Sequence, residues 1–397
     1  MRKLLFITVL IPLVLAGGWY YFHERALPSY GPLYREYAYI SNGKSNTVTV
    51  IDLRGFIPVR TLQVGNDPTG LAANPKRNEV YVVNSGSSNV SVIDAEQNKV
   101  VATIGVFGHP YFIDVSPDGR RAYVANSGSD NVSVLDLDRR AVSATLHVGG
   151  NPGLARVSPD GSAVVVSNRG DNSVSIIDTA RMVVRSSINI CIHPEDIAIL
   201  PDSSKAFVSC SGSGQVASIE LNKIEPNKND SKGDRLLALL DVGKSPVSLA
   251  LKPDGGELMA FNFDAGSISI IETSPNEVSG SYLVGTQPTR GVVTLDNSRL
   301  YISNFGSNNV AVYDIDLGKV IAYLPVGTHP DALALSQNQN YLLVLDTGSG
   351  DMAVIQKRQA RKLEPSEYSL LTIIPVGMQP NQIVVKSFLA TKPTDIR

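Results

Sequence analysis

A short apolar phrase closed by a small polar residue recurs through this chain at a nearly fixed interval. It reads YISN at Tyr39 to Asn42, YVVN at Tyr81 to Asn84 and YVAN at Tyr123 to Asn126. It continues as VVSN at Val165, FVSC at Phe207, MAFN at Met259, YISN at Tyr301 and LVLD at Leu343. The step is 42 residues throughout, apart from one of 52. A repeat of this length is a stack of supersecondary units that bury their apolar faces against one another, so it constrains the fold more than any single motif.

Each unit divides into four strand-length pieces. In the third, YFIDVS leads through the turn PDG to RRAYVAN, then through SGSD to NVSVLD, and finally to AVSATLHV. Alternating apolar and polar residues with β-branched enrichment predict strands of five or six residues. The PDG triplets at Pro117, Pro159 and Pro253 supply a proline with fixed φ and a glycine that accepts φ > 0. No unit has helical period. Four antiparallel strands per 42 residues define a propeller blade, since β-helices use shorter repeats and sandwich domains need about twice the length.

The strands of each blade are named A to D from the axis outward. Eight B strands and eight x-Pro steps into strand A, from Pro68 to Pro380, predict an all-β, eight-bladed propeller over residues 37–388. Seven blades would remain if the terminal unit were degraded. The chain starts on a B strand and ends on an A strand, QIVVKSF at Gln382 to Phe388, so the last strand should pair with the first blade and close the ring. Residues 389–397 form a C-terminal tail.

Tyr81-Val82-Val83-Asn84 and Tyr123-Val124-Ala125-Asn126, with the SPDG turns at Ser116 and Ser158, resemble the YVTN-repeat β-propeller family of exported and cell-surface proteins. Propellers similar in fold include binding proteins, lactonases and haem- or quinone-linked oxidoreductase subunits. The resemblance therefore implies a scaffold and leaves its activity open.

Ahead of the repeats, Met1-Arg2-Lys3 and the apolar run from Leu4 to Phe22 read as an export signal or a membrane anchor within residues 1–26. Both readings place the propeller outside the cytoplasm, periplasmic or at the cell surface. A net charge of −2 gives no general attraction to nucleic acid. The two cysteines, Cys191 and Cys210, leave two readings: buried thiols, the favoured one, or a single disulfide in an oxidising compartment.

Function should reside where a unit departs from its consensus. Strand direction puts the D-to-A loops and B-to-C turns on one face, the mouth of the ring. The residue before each proline there reads Asp67, His109, Asn151, His193, Ser245, Gln287, His329 and Gln379, so three of five histidines share one position. Around them stand Tyr111, Phe112, Glu195, Asp196, Arg290 and Asp331, with Arg169 from a B-to-C turn. These nine, His109, Tyr111, Phe112, His193, Glu195, Asp196, Arg290, His329 and Asp331, are the candidate ligand-binding residues. One metal shared by the three histidines conflicts with an inner radius of roughly 9 Å, which sets their backbones about 13 to 17 Å apart. Glu195 and Asp196 against Arg290 is the best hydrolytic set.

No haem-attachment, zinc-protease, nucleophile-elbow or P-loop motif occurs. The sequence requires no cofactor and leaves a non-covalent tetrapyrrole or a metal open. The leading expectation is a non-enzymatic exported propeller that binds a protein or small molecule in the cell envelope. The alternatives are a lactonase-like hydrolase or tetrapyrrole-linked redox subunit using the same funnel, and a structural envelope protein. Two longer C-to-D connections, Asn222 to Asp234 and Lys357 to Tyr368, read as solvated loops, the second carrying Lys357, Arg358, Arg361 and Lys362.

Overall fold

The computed structural model describes residues 31–222, 233–358 and 367–391. The proposed signal or anchor, His23, Arg361, Lys362, most of the loop after Asn222 and the end of the C-terminal tail lie outside the described residues. Thirty-two strands form eight four-stranded antiparallel sheets. Seven take their strands consecutively from the chain, such as Pro110–Val115, Arg121–Asn126, Asn131–Asp136 and Ala141–His147 in blade 3. Blade 1 is composite: its A strand is the last, Pro380–Leu389, paired with the first, Tyr34–Asn42, in a register that sets Tyr39 opposite Val384. The ring is therefore closed by the predicted terminal pairing. Besides strands, the chain forms single 3-10 turns at Gly43–Ser45 and Ser85–Ser87.

Alternation along the B and C strands sends side chains to both faces of each blade, and both faces are buried by neighbours. The apolar core is accordingly divided among eight clusters, each joining two adjacent blades. The cluster between blades 8 and 1 contains Tyr341, Leu343 and Met352 against Ile40, Ile51 and Phe56, so the closure is packed as fully as the other junctions. The repeated tyrosines are buried at these junctions, and their hydroxyls are satisfied: Tyr39 donates to Asn98 Oδ1 at 2.6 Å and Tyr81 to Glu79 Oε2 at 2.6 Å. Burial raises the pKa of both, holding them neutral.

Local chemistry explains the rest of the repeated phrase. The aspartates that end strand C accept turn amides: Asp94 from Glu96 and Gln97, Asp136 from Asp138 and Arg139, Asp178 from Ala180 and Arg181, and Asp314 from Leu317. Glycines of the PDG turns, Gly119, Gly161 and Gly255, have φ of 70 to 76°. From sequence, Asn84 and Asn126 with the Ser-Gly that follows are expected to make the B-to-C turn in left-handed backbone, which Asn and Gly tolerate; that expectation is corrected. Asn84 does not take the left-handed backbone; its φ is −110°, and the left-handed residue is Ser88, as Asp130 is in the next blade. Asn84 and Asn126 instead end strand B, where each Nδ2 bridges two strand-C side chains, Asn89 and Ser91 or Asn131 and Ser133.

Five of the six asparagines, all but Asn126, face a glycine in the preceding D-to-A loop; before blade 3 that place is taken by Phe107. A methyl group on Gly65 or Gly149 would come within 2.6 Å of Asn84 or Asn168. In blade 5 this pair is replaced on both sides at once: Cys191 stands in the glycine position and Cys210 in the asparagine position. They form a disulfide with a Cα–Cα distance of 5.7 Å. The favoured reading of two unpaired thiols is thus overturned, although both residues are buried. Spacing alone gave no reason to pair them; the equivalence of the two positions to a contacting Gly–Asn pair did.

Candidate functional site

Eight A strands start at the mouth, so their first side chains converge on the axis. They enclose a cavity of about 320 Å³ to which every blade contributes, from Thr69 in blade 2 round to Gln382 in blade 1. Most of its lining residues occupy the first two positions after the proline: Tyr111 and Phe112, Glu195 and Asp196, Val247 and Ser248, Thr289 and Arg290, and Asp331. Six of the nine candidate residues are therefore brought together.

His109, His193 and His329 are not among the residues lining the cavity. All eight residues before the prolines, including these three, have φ between 49 and 55°. Asn, Asp and His tolerate that left-handed region better than most residues. Two of the three backbone amides are clamped by the preceding blade: His193 N–H donates to Asn172 Oδ1 and His329 N–H to Asn308 Oδ1, each at 2.9 Å. The His329 ring stacks on Phe305 at 4.4 Å. Backbone conformation thus accounts for the clustering of histidines at this position. Replacing all three by asparagine, which blade 4 uses at Asn151, is expected to leave both ligand affinity and melting temperature within error of wild type. A drop in affinity of tenfold or more would assign them to the ligand.

Charge in the cavity is carried by three arginines and three carboxylates. Arg169, from the B-to-C turn of blade 4, is ion-paired with Glu195 Oε2 at 2.8 Å and lies 4.7 Å over the Tyr111 ring. It can lie there because blade 4 has Gly153 at the first position after the proline; a methyl group would meet Arg169 Nε at 2.8 Å. Arg156 lies 4.4 Å over the Phe112 ring and 3.8 Å from Asp196 Oδ1. Arg290 is 3.6 Å from Asp331 Oδ1, and that carboxylate, with Asp196 beyond it, holds the guanidinium firmly in its charged form.

The carboxylates differ in how far they are occupied. Asp196 accepts from Ile197 N–H at 2.8 Å, Leu249 N–H at 3.0 Å and Ser248 Oγ at 2.8 Å. Glu195 accepts from Ser211 Oγ and is ion-paired with Arg169. Neither is ion-paired with Arg290, so the set formed by Glu195, Asp196 and Arg290 divides among three separate pairs. Behind Arg156, Asp114 accepts from Val157 N–H and Val115 N–H, and burial raises its pKa against the lowering effect of Arg156.

Arg156 was not singled out in the sequence. A signal existed: four residues after the proline the blades read Ala72, Asp114, Arg156, Ala198, Ala250, Val292, Ala334 and Val384. Asp114 and Arg156 alone are charged there. Phe263 likewise stands where other B-to-C turns begin with serine, as at Ser85, Ser127 and Ser211.

With fold and cavity in place, the chain can be set beside known proteins. The family model described as YNCE-like beta-propeller matches residues 26–156. No curated protein sequence matches the chain. Among solved structures, hydrazine synthase of Kuenenia stuttgartiensis is 24% identical, covering 70% of this chain and 91% of its own, with a TM-score of 0.56. The dihydro-heme d1 dehydrogenase NirN in complex with DHE is 18% identical, covering 91% and 77%, with a TM-score of 0.68. A putative 6-phosphogluconolactonase from Bacteroides uniformis is 16% identical, covering 89% and 99%, with a TM-score of 0.61. At these identities the likeness is one of fold. The chain is an eight-bladed β-propeller, YNCE-like over its matched residues and sharing its architecture with propellers of differing titles.

Proposed function

We propose that this protein is an exported propeller that binds a small polar ligand in the axial cavity, without a catalytic step of its own. The observation that carries the reading is the convergence of six charged side chains and an aromatic pair, Tyr111 and Phe112, on one cavity fed by all eight blades. Charged residues collected on the axis interrupt an otherwise regular consensus. Their volume of about 320 Å³ lies at the small end of ligand pockets, which run from roughly 300 to 1,000 Å³.

The NirN title prompts a tetrapyrrole reading. The lining fits it less well, since it offers no His, Cys or Met side chain to a haem iron. The lactonase title prompts a hydrolytic reading. Here Glu195, Asp196 and Asp331 are each placed against an arginine, Arg169, Arg156 and Arg290 in turn, rather than gathered about one position as a base beside an electrophile stabiliser. Export is supported by the Cys191–Cys210 bridge, because structural disulfides persist in oxidising compartments.

Two measurements test the proposal. The absorption spectrum and metal content of protein purified from an exporting host supplied with haem are expected to show neither a Soret band nor stoichiometric metal; either one would replace the small-ligand reading with a cofactor-carrying one. Ser248→Trp, which fills the cavity from blade 6, is expected to abolish binding of whatever ligand raises the melting temperature of the wild type. Binding that survives it would move the site elsewhere.

A further inference from the structure

The donor and acceptor groups of the axial cavity are not evenly satisfied, and the imbalance points to a ligand class. Satisfied arginines in this chain have a recognisable form. Arg185 donates to Asp234 through Nε at 2.9 Å and Nη2 at 2.8 Å, and its side chain is 8% exposed. Arg169 is ion-paired with Glu195 at 2.8 Å, although its buried Nε has no hydrogen-bond partner. Arg156 and Arg290 differ: their nearest carboxylate oxygens stand at 3.8 and 3.6 Å, beyond hydrogen-bond distance, and neither guanidinium donates to any described residue. Both remain open to the cavity, with side chains 36% and 46% exposed.

Each guanidinium carries five N–H groups in a planar fork. Asp196, the carboxylate nearest Arg156, already has its oxygens taken by Ile197, Ser248 and Leu249. Rotating Arg156 toward it would therefore not satisfy the fork. Gln382 adds to the excess of donors, since its Oε1 accepts Leu71 N–H while its Nε2 makes no hydrogen bond to a described residue. The groups best able to fill the cavity are acceptor oxygens, and a carboxylate matches the guanidinium fork in shape.

Arg156, Arg169 and Arg290 are matched in number by Glu195, Asp196 and Asp331, so the lining is neutral overall and each negative charge on a ligand is repelled by three carboxylates. One carboxylate supplies acceptor oxygens for the open guanidinium groups at the smallest such cost, and a dianion doubles it. Around the arginines stand hydroxyl groups whose protons are already committed: Thr69 Oγ1 to the Tyr111 carbonyl and Ser248 Oγ to Asp196. Their remaining lone pairs accept from hydroxyl groups of a ligand. Aromatic faces at Phe112, Tyr111 and Phe263 suit the apolar side of a compact ring.

We infer that the axial site takes a small hydroxylated monocarboxylate, with the carboxylate on Arg156 and Arg290 and the hydroxyl groups on the neutral polar lining. The inference rests on the axial-binding reading above and specifies its ligand.

The test is a charge series on one ring: glucose, glucuronate and glucose 6-phosphate, with galactose and galacturonate as a second pair, titrated calorimetrically against the full chain. Glucuronate or galacturonate is expected to bind at least tenfold more tightly than its neutral parent and than the sugar phosphate. Arg156→Met and Arg290→Met, which keep the apolar stems, should each weaken that binding at least tenfold while the ligand-free melting temperature stays close to wild type. Arg60→Met, on an exposed outer strand, should leave it unchanged. Equal binding of neutral and charged sugars, still blocked by Ser248→Trp, would overturn the monocarboxylate and keep the axial site. Binding indifferent to Ser248→Trp would overturn the axial site itself. Tighter binding of the sugar phosphate, or no binding across the series, would overturn the inference.

Discussion

Asp346→Asn is expected to stabilise this protein at pH 8 and to change little at pH 4. In blades 1 to 7 strand B ends in asparagine, or in the bridged Cys210, whereas blade 8 ends in Asp346, which is fully buried. It faces Asp351 directly across the B–C pair. Burial, reinforced by Asp351, pushes the Asp346 carboxyl up to about 8, while the Gly327 amide lowers it by less. A carboxyl whose pKa is raised on folding binds its proton more tightly in the native state. Its contribution is fully present below the unfolded-state value of about 3.9, falls as pH rises, and is lost once pH passes the folded value. At about 1.4 kcal/mol per pH unit the loss between pH 4 and 8 is bounded at ~5 kcal/mol, and relaxation around the pair reduces it to a few.

Asparagine at this position removes the titration and restores a donor. In blades 2 and 7 the equivalent Nδ2 of Asn84 and Asn304 donates to Asn89 and Asn309 at 2.8 and 2.9 Å, and Asp351 occupies the matching place in blade 8. Thermal unfolding of wild type and variant from pH 4 to 8 checks the expectation. The two curves should coincide in acid and separate steadily above pH 5. A difference independent of pH would show that Asp346 is not the titrating group.

Breaking the Cys191–Cys210 bridge is expected to cost about 3 kcal/mol. The cysteines are 19 residues apart, and closing a loop of roughly that length removes about this much free energy from the unfolded chain. The loss falls on the blade that carries Glu195 and Asp196, so cavity geometry should suffer with stability. Cys191→Ser with Cys210→Ser leaves two small polar groups in a junction that in five other blades has a glycine against an asparagine. Cys191→Gly with Cys210→Asn rebuilds that junction and should recover part of the loss. Recovery should improve with Ala217→Ser, because Ala217 stands where Ser91, Ser133 and Ser175 accept the asparagine amide in other blades. Melting temperatures with and without reductant give the test: reductant should lower that of the wild type and leave both cysteine-free variants unmoved. A wild type indifferent to reductant after its thiols are shown to be free would mean the bridge contributes nothing.

Both predictions concern places where one blade abandons a device the others share, and such places were legible to different degrees. Blade count, strand order, turn chemistry and ring closure could be read from the 42-residue period, because each depends on contacts within a blade or between successive blades that every unit repeats. Tyr111, Phe112, Glu195, Asp196, Arg290 and Asp331 could be read as cavity residues, because strand direction alone decides which end of an A strand faces the mouth. His109, His193 and His329 show the limit of that reasoning. They stand immediately before strand A as read, but a left-handed backbone directs what such a residue can do, and φ is not written in the spacing.

The sequence by itself determined the architecture of this protein, since a period, an alternation and a set of turns are local properties that repetition amplifies eightfold. Only the tertiary structure decided which charges meet. Arg169 reaches Glu195 across a blade boundary over the bare backbone of Gly153, Arg156 lies on Phe112 from the blade before it, and Cys191 reaches Cys210 because a glycine and an asparagine touch there in other blades. These pairings depend on the angle between blades and on the absence of a single methyl group. Distances of that order are set by packing around the closed ring, which no single repeat contains.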